Sequence, residues 1–147
     1  MRLEKAAIIA ILALIASAVP AVAAGQNFKV VINDSNPTTS ISKDVLSRCF
    51  MKQVEMWISG QSVVPVDQAA SSETRKVFST EIHGRDVNAI KSFWQRQIFS
   101  GRGVPPPEKA SDDEVLAIVR VNPGAVGYVS SNATIGSGVK VLEITEE

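Results

Sequence analysis

Val63-Val64-Pro65-Val66-Asp67-Gln68-Ala69-Ala70-Ser71-Ser72-Glu73-Thr74-Arg75-Lys76-Val77-Phe78 sets the frame for the rest of the chain. Its apolar, β-branched start predicts a short strand over Ser62–Val66. Small and polar residues then turn the chain, and Val77, Phe78 and Ile82 share one face of a helix expected over Ser71–Ile82. A helix that starts after such a turn presents unpaired backbone N–H groups and a partial positive charge. Hydroxyls add further donors, so the segment predicts an oxyanion cradle built on Ser71, Ser72 and Thr74. N-capping accounts for the same three residues equally well. Glu73 stands where an incoming anion would sit, and its charge satisfies the helix dipole internally. Arg75 reads either as a compensating cation or as a solvated residue of the helix.

Working outward, Phe28–Asn33 is apolar and β-branched and predicts a largely buried strand. Asp34-Ser35-Asn36-Pro37 breaks it. Ser35 lies just past that strand end, where α/β folds often bind ligands, and is a secondary anion candidate. Ser42 caps a helix with Val45, Leu46, Cys49 and Phe50 on one face, and Trp57–Gly60 makes a turn. Gly84 ends the helix after the cradle, and His83 beside it is placed to interact favourably with the helix C-terminus. Val87, Ile90, Trp94 and Ile98 mark a further helix from about Asp86 to Phe99. The loop Ser100–Pro107 contains Gly101-Arg102-Gly103, a connector rather than a phosphate loop. Ser111 and Glu114 have capping-box spacing at the head of another helix, where Asp112 and Asp113 complement its dipole. Strands over Ala125–Val129 and Val139–Ile144 complete the chain. Strands interspersed with helices predict a three-layer α/β domain with a mixed sheet of about four strands.

Bulk properties narrow the function classes. The chain has 147 residues, with 15 Lys and Arg against 15 Asp and Glu. No basic stripe with interleaved aromatics is present, which argues against nucleic acid as a partner. Arg2 and Lys5 precede an uncharged apolar run, Ala6–Val19, then Pro20 and small residues suited to cleavage after Ala23 or Ala24. That is the pattern of a secretory signal peptide over residues 1–24, leaving residues 25–147 as one exported domain. Cys49 is the only cysteine and His83 the only histidine, so neither an internal disulfide nor a His/Cys metal set is available. No serine or cysteine has a base and orienter in motif form. Catalysis is therefore not expected, and no cofactor or metal is implied.

Several short strings carry a resemblance. Phe50, Trp57-Ile58-Ser59-Gly60 and Val64-Pro65-Val66 resemble the "IF-x-G…W-x-x-G…PV" segment of the phosphate-binding (PstS-like) proteins of ABC transporters. Phe93-Trp94, Phe99-Ser100-Gly101 and Pro105-Pro106 continue it, and Asn122-Pro123-Gly124-Ala125-Val126-Gly127-Tyr128-Val129 is similar to the family's "NPGAIGYV". The resemblance implies a periplasmic binding protein fold of type 2-like architecture. It covers one lobe of the two that close around phosphate in full members of the family.

The implied lobe is the one bearing the anion motif "R-x-D-G-S-G-T". Ser72 and Thr74 match its serine and threonine. Gln68 stands at its arginine, Ala70 at its aspartate and Glu73 at its second glycine. The resemblance thus implies a substrate-binding-protein-like domain that takes phosphate or a related small oxyanion, weakly or as part of a composite site. Ser71, Ser72, Thr74, Arg75, Gln68 and Ser35 are the candidate contacts. With a single lobe, the former ligand face could instead serve a homodimer or a membrane-protein partner, making the chain a non-catalytic interaction module.

Overall fold

A computed structural model describes residues 27–146; the expected signal peptide lies outside them. β1 (Phe28–Asn33) is flanked in the sheet by β6 (Ala125–Ser130) and β7 (Val139–Val141), both antiparallel to it, while β3 (Val64–Pro65) joins β6 in parallel. The result is a mixed four-stranded sheet in the order β3-β6-β1-β7. Alternation along β1 fixes its two faces. Phe28, Val30 and Ile32 pack with α1 (Lys43–Phe50) and with Phe78 and Ile82, whereas Val31 packs with Val115, Leu116 and Val119 of α4 (Asp112–Val121). Helices thus cover both faces, the three-layer α/β arrangement the sequence predicts. Among the described residues no helix is long and apolar enough to cross a membrane.

Most helix starts are where the sequence puts them. Ser42, Ser72, Asp86 and Ser111 each accept a hydrogen bond from the backbone N–H three residues on. Glu114 reaches back to the N–H of Ala110 at 2.7 Å, completing a capping box displaced by one residue. The helix after the cradle begins at Glu73 rather than Ser71. It is α-helical over α2 (Glu73–Phe78), widens to a π-helical turn over Ser79–His83, and stops at Gly84 with φ 63°. α3 (Val87–Phe99) follows.

Two expected strands divide. The segment 62–66 forms β3, whose neighbour Val66 still donates to Val126 O, and then β4 (Asp67–Gln68) pairs in parallel with β5 (Glu108–Lys109). Residues 139–144 divide at Leu142 into β7 and β8 (Glu143–Thr145), the latter pairing with β2 (Ser40–Ser42). In each case the chain changes partner midway.

The Cys49 side chain is buried in the α1 layer. Burial pushes its thiol up to about 11, with Arg48 pulling the other way. A thiol reagent at neutral pH is therefore expected to label Cys49 at the rate of unfolding. Labelling kinetics that follow the reagent alone, unchanged by denaturant, would contradict this placement.

Candidate functional site

The cradle forms where the chain, having left the four-stranded sheet after β3, passes through β4 into α2, beside the C-terminal end of β6. Gln68 is buried at its centre, and both ends of its amide are engaged. Nε2 donates to Asp112 Oδ1 at 3.0 Å and to Tyr128 O at 2.9 Å, while Oε1 accepts the Ser72 hydroxyl at 2.6 Å. Ser72 Oγ in turn accepts from Arg75 N at 3.2 Å as the helix cap. Asp112 also accepts from the N–H and hydroxyl of Ser130, so this acid ties α4 to the end of β6 besides complementing the helix dipole.

Arg75 departs from both sequence readings. It is neither a solvated helix residue nor a free anion ligand, being only 4% exposed. Nη1 donates to Glu108 Oε1 at 2.6 Å and to Gln68 O at 2.8 Å, and Nε lies 3.5 Å from Asp67 Oδ1. Asp67, which the sequence reading left unassigned, also accepts from the Tyr128 hydroxyl and from Gln68 N. Burial lifts the Asp67 carboxyl above its usual range, against the attraction of Arg75 and the hydrogen bonds from Tyr128 and Gln68. Burial opposes the charged guanidinium too, but Asp67 and Glu108 outweigh it and hold Arg75 protonated. Tyr128 is raised first by burial and then by the charge of Asp67. Its ring stacks on Phe78 at 3.8 Å between centroids, which anchors the polar network to the core.

The remaining candidates separate. Glu73 is exposed and pairs with Lys76 at 2.6 Å, along the helix. Ser71 and Thr74 have no side-chain hydrogen-bond partner among the described residues, and neither have the N–H groups of Glu73 and Thr74. Those are the donors left open at the cradle. Ser35 is elsewhere: the antiparallel pairing of Phe28 with Ser130 and of Ile32 with Val126 puts the C-terminal end of β1 at the start of β6, the opposite end of the strands from the cradle. Its N–H and hydroxyl both donate to Asn33 Oδ1, at 2.9 and 2.7 Å. The structure therefore brings Gln68, Ser71, Ser72, Thr74 and Arg75 together and leaves Ser35 out.

Comparison with known proteins follows the same lines. No family model matches the chain, and no curated protein matches it. Solved structures do match. An ABC-type phosphate transport receptor from Vibrio cholerae is 21% identical, with a TM-score of 0.63 over 80% of this chain and 46% of its own. A protein assigned as a phosphate ABC transporter substrate-binding protein from Clostridium perfringens, solved with bound phosphate, is 17% identical; the TM-score is 0.60 over 80% and 44%. PstS from Borrelia burgdorferi is 14% identical, with a TM-score of 0.57 over 81% and 47%.

The fold is that of a phosphate-receptor lobe. The chain spans about half the length of the receptors it matches. At these identities the likeness fixes the architecture of the lobe, and its ligand has to be argued from its own side chains.

His83 closes the π-helical turn before Gly84, the helix end where the sequence places it, and its imidazole packs edge-on to Phe78 at 5.6 Å, with Nδ1 2.7 Å from Ser47 Oγ. Burial, then the charges of Arg75 and Arg85, lower its pKa from 6.5 to about 4. The unfolded chain takes up a proton near pH 6.5 and the folded lobe only near pH 4. Stability from neutral His83 is thus complete above 6.5 and lost as pH falls toward 4, by about 1–3 kcal/mol. Denaturant midpoints of the parent and His83→Gln across this range measure it. The expected outcome is a smaller slope in the variant, and equal slopes would contradict it.

Proposed function

We propose that the chain is an exported, phosphate-receptor-like domain that binds phosphate or a related small oxyanion weakly, or as half of a composite site. The observation that carries this reading is the 2.6 Å hydrogen bond from the Ser72 hydroxyl to Gln68 Oε1. A neutral amide oxygen holds the donor that an oxyanion would otherwise accept from, so a ligand must displace an internal bond. Only Ser71, Thr74 and the first N–H groups of α2 stand open to it. Gln68 in place of arginine, and Glu73 beside the cap, both remove favourable charge.

A ligand that binds only the native state raises its melting temperature. Phosphate at about ten times a millimolar Kd is expected to stabilise the lobe by about 1.4 kcal/mol. No shift with phosphate, sulfate or a panel of carboxylates would remove free-ligand binding by the isolated lobe. The signal-peptide pattern over residues 1–24 supports a periplasmic or secreted location, tested by whether the mature chain begins near Gly25.

One observation favours a second reading, a non-catalytic interaction module. Arg75, the cation nearest the cradle, is sealed between Asp67 and Glu108. With its cation unavailable, the face would serve a homodimer or a membrane-protein partner. Light scattering showing monomer alone at high concentration, with no partner retained from envelope extracts, would count against it.

A further inference from the structure

A cleft of about 470 Å³ lies away from the cradle, between α1 and α3. Arg48 and Asp44 enter it from α1, Arg85 from the turn after the π-helical segment, and Arg96 from α3; His83 and Ser47 also line it. Arg48 lies 3.7 Å from Asp44. Arg85 and Arg96 have no carboxylate within ion-pairing distance among the described residues. Three guanidiniums against one carboxylate give the cleft an excess of two positive charges. Met51, Ile90 and Phe93 supply an apolar wall. Its lining is mostly polar and charged, with the apolar wall on one side, so convergent cations stand beside a surface that an organic group can cover.

We propose that this cleft binds an organic phosphate monoester, its dianionic head held by Arg85 and Arg96 and its organic group laid against Met51, Ile90 and Phe93. The charge excess matches a dianion. Guanidinium is the group best shaped for bidentate phosphate recognition. The apolar wall has no use for inorganic phosphate, which distinguishes this ligand from the one considered for the cradle.

His83 is the single histidine of the chain, so its imidazole gives one reporter signal at the cleft. A bound dianion offsets the nearby guanidinium charge that helps to hold the imidazole neutral. Titration of the untagged, full protein with phenyl phosphate, followed by NMR, should shift the His83 ring signal saturably. Its pKa should rise above about 4, while burial continues to hold it below the ordinary value. Arg85→Ala and Arg96→Ala, both at exposed positions, should each weaken binding about tenfold, the effect of losing one charge-assisted hydrogen bond.

Phenylacetate and inorganic phosphate form the comparison arms and should bind more weakly. Equal binding of inorganic phosphate would overturn the role of the apolar wall. A His83 signal that stays fixed in millimolar phenyl phosphate, or shifts confined to the N–H groups of Glu73–Arg75, would overturn the cleft as the site. Loss of binding at the cradle by Thr74→Ala, by contrast, should leave the His83 response unchanged.

Discussion

Arg75→Met is expected to cost about 3–5 kcal/mol of unfolding free energy, the usual penalty for leaving one partner of a buried ion pair alone. Methionine keeps most of the volume, so the loss reports the charge rather than a cavity. Asp67 would remain buried with only the Tyr128 hydroxyl and Gln68 N–H to hold it. Removal of the guanidinium drives the Asp67 pKa further up. The folded variant then prefers the protonated acid, and its deficit against the parent shrinks as pH falls below the variant's Asp67 pKa. Replacing Asp67 as well, with leucine, should recover part of the loss, since a buried pair exchanged for apolar groups is often near neutral. Chemical denaturation of the parent, the single and the double variant at pH 5 and 8 measures all three statements. A single variant within about 1 kcal/mol of the parent would mean that Arg75 is not sealed as described.

Gly124→Ala is expected to be as severe, about 3 kcal/mol or more, for a steric reason. A Cβ there would lie 2.0 Å from the carbonyl oxygen of Ser62, a backbone atom that cannot rotate away. Gly124 O also accepts from Trp57 Nε1 and from Val64 N, both at 2.9 Å, so any shift to relieve the clash disturbs the β3 pairing and the Trp57 anchor. Gly127→Ala meets the Val115 Cγ1 methyl at 2.6 Å instead. A side-chain methyl yields more readily than backbone, so the expected cost is smaller, about 1–3 kcal/mol. The order of the two melting temperatures tests the distinction; a Gly124→Ala protein as stable as Gly127→Ala would contradict it.

The layers were legible because they rest on local signals. The apolar, β-branched run of β1, the serine caps, and the helical spacing of Val87, Ile90 and Trp94 each survive in the folded lobe. The paired fragments β2, β4 and β5 were not, since two or three residues hold no period and their pairing depends on distant chain. The site shows the same division. Ser72 announces its cap three residues ahead of Arg75, but nothing near Asp67 tells of Tyr128, 61 positions away, or of Glu108. Arg75 was misread because the local chemistry of its helix suggests exposure, whereas Glu108 of β5 and Asp67 cover it. The short strings shared with phosphate receptors carried the fold correctly. They could not show that Gln68 turns its amide inward and closes the cradle on itself.

Calorimetric titration of residues 25–147 with phosphate, alongside the double variant Gln68→Arg and Glu73→Gly, tests that closure most directly. The variant removes the amide oxygen that holds Ser72, restores a guanidinium and withdraws the exposed carboxylate. Weak binding by the parent and at least about tenfold tighter binding by the variant is the predicted result. Phosphate affinity unchanged between the two proteins would show that Gln68 does not keep the cradle shut.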